Sequence, residues 1–359
     1  MLTPRPLEPT AGEPHHLDAT ATYDASVQSV EDQPVTDPIT THTENPAVLT
    51  VGVFDGVHLG HQALVERASR IAEEHQGGAR VVALAFDPAP AAVLAPGREP
   101  PRLTTFEDRA DLLLDAGADE VLRLEPTPGL LGLSPEAFVD YVLMPLRPIA
   151  VVEGPDFCFG AKRAGDVRTL AELGRQRGFR VEVVEPIEGD LDDQTMVPAR
   201  STRVRWLLEH GRVADAGRVL GRAYELAGEV LRGDQRGRTI GFPTANIRSE
   251  VMVPGDGVYA CFADLGDGRA VPAAVNVGDR PTFDGIERRV EAHLIGFEPS
   301  AGAPEYEWSL RLAFVSRLRD QVRFGLIEDL KAQLDRDVAR AAELLDSTEH
   351  PWIQEHVTA

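Results

Sequence analysis

Short apolar runs alternate with helical-period stretches through the first half of this chain, and the alternation stops near residue 220. Ala47-Val-Leu-Thr-Val51 is too short for a globular helix and rich in β-branched residues, so it predicts a buried strand, extended here to Val48–Val53. From Gln62 to Gln76, Ala63, Leu64, Ala68, Ile71 and Ala72 recur at helical spacing, and Gly77-Gly78 ends the pattern. Further strands are predicted at Val81–Phe86, Glu120–Leu124, Ala150–Glu153 and Val181–Val184, with helices at Glu107–Ala116, Pro135–Leu143, Val167–Gln176 and Thr202–His210. This rhythm predicts an α/β domain with an open, mostly parallel sheet covered by helices on both faces. Beyond Leu220, strand-like segments follow one another directly: Tyr224–Leu231, Gly257–Leu265, Ala270–Val277, Arg289–Phe297 and Trp308–Arg319. Consecutive strands with Gly, Pro and Asp turns predict an antiparallel β-barrel. A closing amphipathic helix carries Ile327, Leu330, Leu334, Val338, Ala341 and Leu345 on one stripe, expected to pack against the barrel.

Length supports two domains, since 359 residues exceed one ordinary core. The expected division is 1–45 as a disordered acidic extension, 46–217 as the α/β domain, 218–348 as the barrel domain, and 349–359 as a tail. Net charge is -22, which argues against nonspecific binding to nucleic acid or to an anionic membrane. Two distant cysteines, Cys158 and Cys261, make no disulfide framework. There is no secretory signal pattern and no apolar run of membrane-spanning length, so the expected location is the cytoplasm.

Chemistry concentrates first at Gly52-Val-Phe-Asp-Gly-Val-His-Leu-Gly-His61, between the first strand and its helix. At such a corner, backbone N–H groups and the helix dipole favour an anion, and imidazoles at i and i+3 reach the same phosphate. Zinc is an open alternative, although zinc helices favour i, i+4 pairs and further ligands are not evident. A second loop, Gly154-Pro-Asp-Phe-Cys-Phe-Gly160, offers Asp156 as an acceptor, or is simply a tight turn with Phe157 and Phe159 in the core. Ser201-Thr-Arg-Val-Arg205 places Ser201 and Thr202 beside Arg203 and Arg205 at a helix start, a set that either caps the helix or donates to phosphate. In the barrel half, the basic glycine loop Arg232–Asn246 ends in Pro-Thr-Ala-Asn. Thr244 and Asn246 point the same way in an extended segment and present two oxygens of the kind a magnesium–phosphate complex accepts. Glu291 and His293 face away from Val290, Ala292 and Leu294. Glu291 is thus either a solvated strand carboxylate or a general base facing a substrate hydroxyl.

Residues 46–346 resemble the prokaryotic bifunctional riboflavin kinase/FMN adenylyltransferase (FAD synthetase) family. The resemblance rests on G-x-F-D-G-V-H-x-G-H at 52–61, F-x-P at 86–88, G-x-D-F-x-F-G at 154–160 and S-T-x-x-R at 201–205. In the second half it rests on G-F-P-T-A-N at 241–246, G-V-Y-A at 257–260, N-x-G-x-R-P-T-F at 276–283 and V-E-x-H at 290–293. The resemblance implies a nucleotidylyltransferase domain of Rossmann-like type followed by a riboflavin kinase barrel. It further implies that Phe54, Asp55, Gly56, His58, His61, Asp156, Ser201, Thr202 and Arg205 bind ATP for adenylyl transfer. Gly241, Pro243, Thr244 and Asn246 would bind ATP, with Thr244 and Asn246 holding Mg²⁺, and Glu291 would deprotonate the riboflavin 5′-hydroxyl. ATP, riboflavin, FMN and FAD are the implied substrates and products. Arg200, Ala89, the region of Tyr306, and Arg323 depart from the family pattern without removing a residue given a role. One active module alone, or a noncatalytic flavin or nucleotide carrier, are the alternatives.

Overall fold

A computed structural model describes residues 45–346, except 234–235, 267–269, 283–284, 298–305 and 307. The N-terminal extension up to residue 44 and the tail 349–359 lie outside the described residues.

Five parallel strands form the first sheet: β1 (Ala47–Gly52), β2 (Arg80–Phe86), β3 (Glu120–Leu124), β4 (Pro148–Glu153) and β5 (Arg180–Val183), in the order β3-β2-β1-β4-β5. Alternate residues of β1 enter opposite cores, Ala47, Leu49 and Val51 on one face and Val48 on the other. That two-sided burial explains why the strand reads as a continuous apolar run. Helices α1 (Leu59–Glu74), α2 (Phe106–Asp115) and α3 (Val167–Arg177) cover the sheet. Strand order reverses between β1 and β4, which makes the carboxyl end of β1 the place where such sheets open a crevice. Their paired register runs only to Leu49 and Val151. Beyond it the Glu153 carboxyl accepts from Val51 N–H at 2.7 Å, across the opening.

Several local expectations are corrected. Helix α1 begins at Leu59, three residues before Gln62, so His58 is its N-cap and His61 lies in its first turn. The helix expected over Pro135–Leu143 is α-helical only to Phe138, and continues as a π-turn at Val139–Leu143. The Asp156 loop leads into a small hairpin, Cys158–Phe159 with Gly165–Asp166. Phe159 is buried and Phe157 partly so.

Two helices, α4 (Ser201–Glu209) and α5 (Val213–Leu220), lead into the barrel. Its strands are β6 (Tyr224–Leu231), β7 (Ala245–Arg248), β8 (Gly257–Asp264), β9 (Ala270–Thr282), β10 (Gly285–Leu294) and β11 (Ser309–Arg319). They close in the order β6-β7-β10-β9-β8-β11, all antiparallel. One hydrophobic core joins Val204, Leu207, Leu208 and Val219 of α4 and α5 to Leu226, Tyr259, Val275 and Phe314 of the barrel. Backbone bonds add to this join: Gly255 N–H donates to Leu208 O at 2.7 Å, and Met252 N–H to Arg102 O at 2.8 Å. Arg311 of β11 pairs with Asp108 of α2 at 2.6 Å and with Glu225 at 3.1 Å.

The last helix, α6 (Ile327–Leu345), only partly follows its expected role. Val338, Ala341 and Leu345 pack on the barrel, whereas Leu330 and Leu334 line a cavity and Ile327 is 53% exposed. The periodicity identified the stripe, but a stripe longer than the surface beneath it leaves its first turn uncovered.

Candidate functional sites

The first site sits on the turn between β1 and α1. Phe54 (φ 53°), Gly56 (φ 83°) and Val57 (φ 38°) are all left-handed, a conformation that is uncommon without glycine and strained for a β-branched residue. The Asp55 carboxylate holds this turn. It accepts from Leu103 N–H at 2.9 and 3.0 Å, from Thr104 N–H at 3.1 Å and from the Thr104 hydroxyl at 3.2 Å, and it pairs with Arg205. The Ser201 hydroxyl donates to Asp55 O at 2.7 Å, and Arg205 Nε donates to Pro101 O at 2.8 Å. Asp55, Ser201 and Arg205 are therefore brought together, but bonded to one another and to the backbone. Thr202 is exposed. Asp156 is largely exposed and pairs at 3.4 Å with Arg200, the N-cap of α4, so the arginine that departs from the family pattern joins two motif loops.

The turn delivers two stacked imidazoles. His58 and His61 have ring centroids 3.7 Å apart and planes 19° from parallel, and Phe54 meets His61 edge-on at 5.2 Å. Gly60 makes room for this: a Cβ there would lie 3.2 Å from both the His58 ring and Ala199 O. His58 is 6% exposed, and burial, helped by Arg222, Arg200 and Arg205, lowers its pKa to about 4. Burial first, then His58, Arg109 and Arg222, holds His61 well below the ordinary histidine range. Both rings are neutral at pH 7, and the Nδ1 of each is buried without a hydrogen-bond partner. A ring buried with an unused polar atom has lost water without replacing it, and an anionic oxygen arriving there would be a strong partner.

Sequence reasoning missed three residues here. Arg109, 3% exposed, pairs with Asp87 at 2.8 Å and donates to Phe86 O at 3.2 Å and to Val53 O, tying together the ends of β1 and β2. Its place on the buried face of α2, one turn before Leu113, was the available signal. Glu153 is buried and its carboxyl is pushed well above the usual range by loss of solvent. Arg222 donates to Gly56 O at 2.9 Å and to Val57 O at 3.2 Å, and no local pattern announces it.

The second site is a cavity of about 680 Å³ between the outer face of the barrel and helix α6, within the size range of small-molecule pockets. Pairing places Asn246 of β7 and Asn276 of β9 on either side of Glu291 of β10. All three line the cavity with Thr244 and His293. Val290 and Ala292 are buried in the core, so the predicted alternation of this strand holds. Asn246 Oδ1 is buried without a hydrogen-bond partner. His293 Nδ1 lies 2.9 Å from Pro243 O and its ring meets Phe242 edge-on, which fixes the loop before Thr244. Gly241 turns that loop with φ 93°. Leu330 and Leu334 of α6, with Arg323 and Phe324, form the opposite wall. Asp337 braces α6 to β11 through Arg319 at 2.6–3.1 Å and accepts from Gln333 at 2.8 Å. Among the described residues, no group of three or more His, Cys, Asp or Glu is placed to hold a metal.

Comparison with known proteins gives two successive matches. Residues 40–197 match the FAD synthetase family model and residues 220–345 the riboflavin kinase model. The chain is 34% identical over 305 residues to a bifunctional riboflavin kinase/FMN adenylyltransferase of Escherichia coli K12, covering 84% of this chain and 93% of the relative. It is 36% identical over 308 residues to the Listeria monocytogenes protein of the same description, with coverage of 84% and 93%. The Bacillus subtilis counterpart is 32% identical over 303 residues, with coverage of 82% and 91%. A crystal structure from Streptococcus pneumoniae, described as a macrolide-efflux protein, is 27% identical with a TM-score of 0.73 and covers 83% of this chain and 94% of its own. No helix among the described residues is long and apolar enough to cross a membrane.

Proposed function

The chain belongs to the family of bifunctional riboflavin kinase/FMN adenylyltransferases, and from that premise we propose which of its residues carry each reaction. The enzyme phosphorylates riboflavin to FMN with ATP and adenylylates FMN to FAD with release of pyrophosphate.

In the kinase step, Glu291 takes the proton of the riboflavin 5′-hydroxyl while that oxygen bonds to the γ-phosphorus and the bond to ADP breaks. The position of Glu291 between two amide side chains, inside a cavity large enough for substrate, supports this role. Thr244 Oγ1 and the unpartnered Asn246 Oδ1 fit a magnesium–phosphate complex, since Mg²⁺ accepts a few oxygen ligands and keeps its remaining positions for water and phosphate. When bound, Mg²⁺ neutralises and orients the ATP phosphates. Gly241 and Pro243 shape the loop that presents Thr244.

In the adenylyl step, a phosphate oxygen of FMN attacks the α-phosphorus of ATP and the α–β bridge breaks. His58 and His61 donate to the phosphates and stabilise the charge that develops on pyrophosphate. Their orphaned Nδ1 atoms are the observation that carries this assignment. The bonding of Asp55, Ser201 and Arg205 to one another supports a role in shaping the turn that includes Phe54 and Gly56. The exposure of Asp156 and Thr202 leaves their side chains accessible to a nucleotide, which supports a binding role. Two free cysteines and the small-molecule substrates fit work in a reducing cytoplasm.

The test is chromatography of products from purified protein with riboflavin, ATP and Mg²⁺, alongside a reaction started from FMN. FMN followed by FAD is expected, with both abolished by EDTA. Tight flavin binding without turnover would replace this reading with a carrier.

A further inference from the structure

We infer that Arg222, at the threshold of the kinase barrel, is a positioning residue for adenylyl transfer, holding the turn that aims His58 and His61. The inference rests on the assignment of those histidines to the adenylyl site. Arg222 lies two residues before β6 begins at Tyr224, and its guanidinium reaches back to the first domain. It donates to the carbonyls of Gly56 and Val57, two successive peptides immediately before His58. A planar fork with several fixed donors suits two neighbouring carbonyls, which a single ammonium cannot span with the same geometry.

The turn needs such an outside hold. Three of its four residues Phe54 to Val57 are left-handed, and strained backbone persists only where its surroundings over-determine it. Asp55 and Thr104 fix the side of the turn facing residues 101–105, with Gly56 N–H donating to Thr104 Oγ1 at 3.2 Å. The other side is fixed from residues 220–222. Gln62 Nε2 bridges Val57 O and Leu220 O, each at 2.8 Å, and Arg222 takes both carbonyls. Without Arg222 the Gly56 carbonyl loses its donor and the Val57 carbonyl keeps only Gln62, which would loosen the N-cap and move the His58 ring. A misplacement of an ångström at a reacting group costs on the order of 100-fold in rate. Arg222 does not line the kinase cavity, so phosphorylation of riboflavin has no direct use for it.

The experiment uses the full chain with Arg222→Met, Arg222→Lys and Arg222→Ala, each assayed separately for FMN from riboflavin and for FAD from supplied FMN. In Arg222→Met, kcat for FAD formation should fall about 10- to 100-fold, with FMN formation within about twofold of the parent. Arg222→Lys should remain at least about fivefold impaired, because charge without the fork does not hold both carbonyls. Guanidinium ion at a few tens of millimolar should restore FAD formation at least about tenfold in Arg222→Ala and leave His61→Ala unchanged. This rescue also decides the question if a variant folds poorly, since a general loss of structure would not respond to it. FAD formation within twofold of the parent in Arg222→Met, full activity in Arg222→Lys, or equal loss of both activities without guanidinium rescue would each overturn the inference. Parental FAD formation in His61→Ala would instead remove the histidine assignment beneath it.

Discussion

The two sites of this molecule are built in opposite ways. The histidine site depends on partners far away in sequence: Asp55 meets Leu103, Thr104 and Arg205, and the Gly56 and Val57 carbonyls meet Arg222. The kinase cavity instead takes its polar set from strand register, which lays Asn246, Glu291 and Asn276 side by side on three adjacent strands. One site is a strained turn clamped from several directions, and the other is a row on a regular barrel. A single lost partner should therefore disturb the first site more than the second, and the chemistry of the two should fail separately although α4 and α5 share a core with the barrel.

The largest effect is expected at Asp55. Asp55→Ala leaves Arg205 and the Leu103 and Thr104 amides without their acceptor, and breaking such a buried pair costs about 3–5 kcal/mol. Urea unfolding should show that loss, and any folded fraction should make FMN but not FAD. Asp337→Ala is the counterpart in the kinase half. It should cost about 3 kcal/mol by stranding Arg319, and it should raise the KM for riboflavin because α6 walls the cavity.

Acid should act on the histidine turn more gently. The folded-state pKa of His58 lies near 4, below its ordinary value of 6.5. The unfolded chain thus binds the extra proton first as pH falls. The stability associated with neutral His58 is complete above about pH 6.5, declines through the interval below, and is fully lost once pH passes below 4. Between pH 7 and 5 the parent should lose about 2 kcal/mol more than His58→Gln, measured as the difference in urea unfolding. A smaller difference would mean that the ring is better solvated than its burial indicates. The smallest effect is expected at the rim: Arg200→Ser removes an exposed pair with Asp156 and should change stability by less than about 0.5 kcal/mol.

How legible these features were follows the same division. Strands Glu120–Leu124 and Tyr224–Leu231 fall where their apolar and β-branched runs place them, and the facing of Glu291 followed from simple alternation. The motifs pointed to both clusters, and the structure gathers Asp55, His58, His61, Ser201 and Arg205 at one turn and Thr244, Asn246 and Glu291 along one cavity. The start of α1 did not read correctly, because glycines and histidines at 58–61 look like loop until the helix is seen to be capped by His58. Nor could spacing reveal that Arg205, a phosphate donor by composition, would pair with a carboxylate 150 residues earlier. Arg222 was invisible for the same reason: its partners are backbone carbonyls, which every residue possesses. The α4–α5 hairpin lies between the two family matches, yet it packs into the barrel core, a sharing that local pattern does not encode.

The central claim is that two chemically independent sites operate in one chain. The direct measurement is a crossed assay of Glu291→Gln and His61→Ala, each scored for FMN from riboflavin and for FAD from supplied FMN. Glu291→Gln should lose FMN formation by at least about 100-fold while making FAD at the parental rate, and His61→Ala should show the converse. Loss of both products in each variant, with unfolding curves unchanged, would contradict the claim and place the two reactions in a single site.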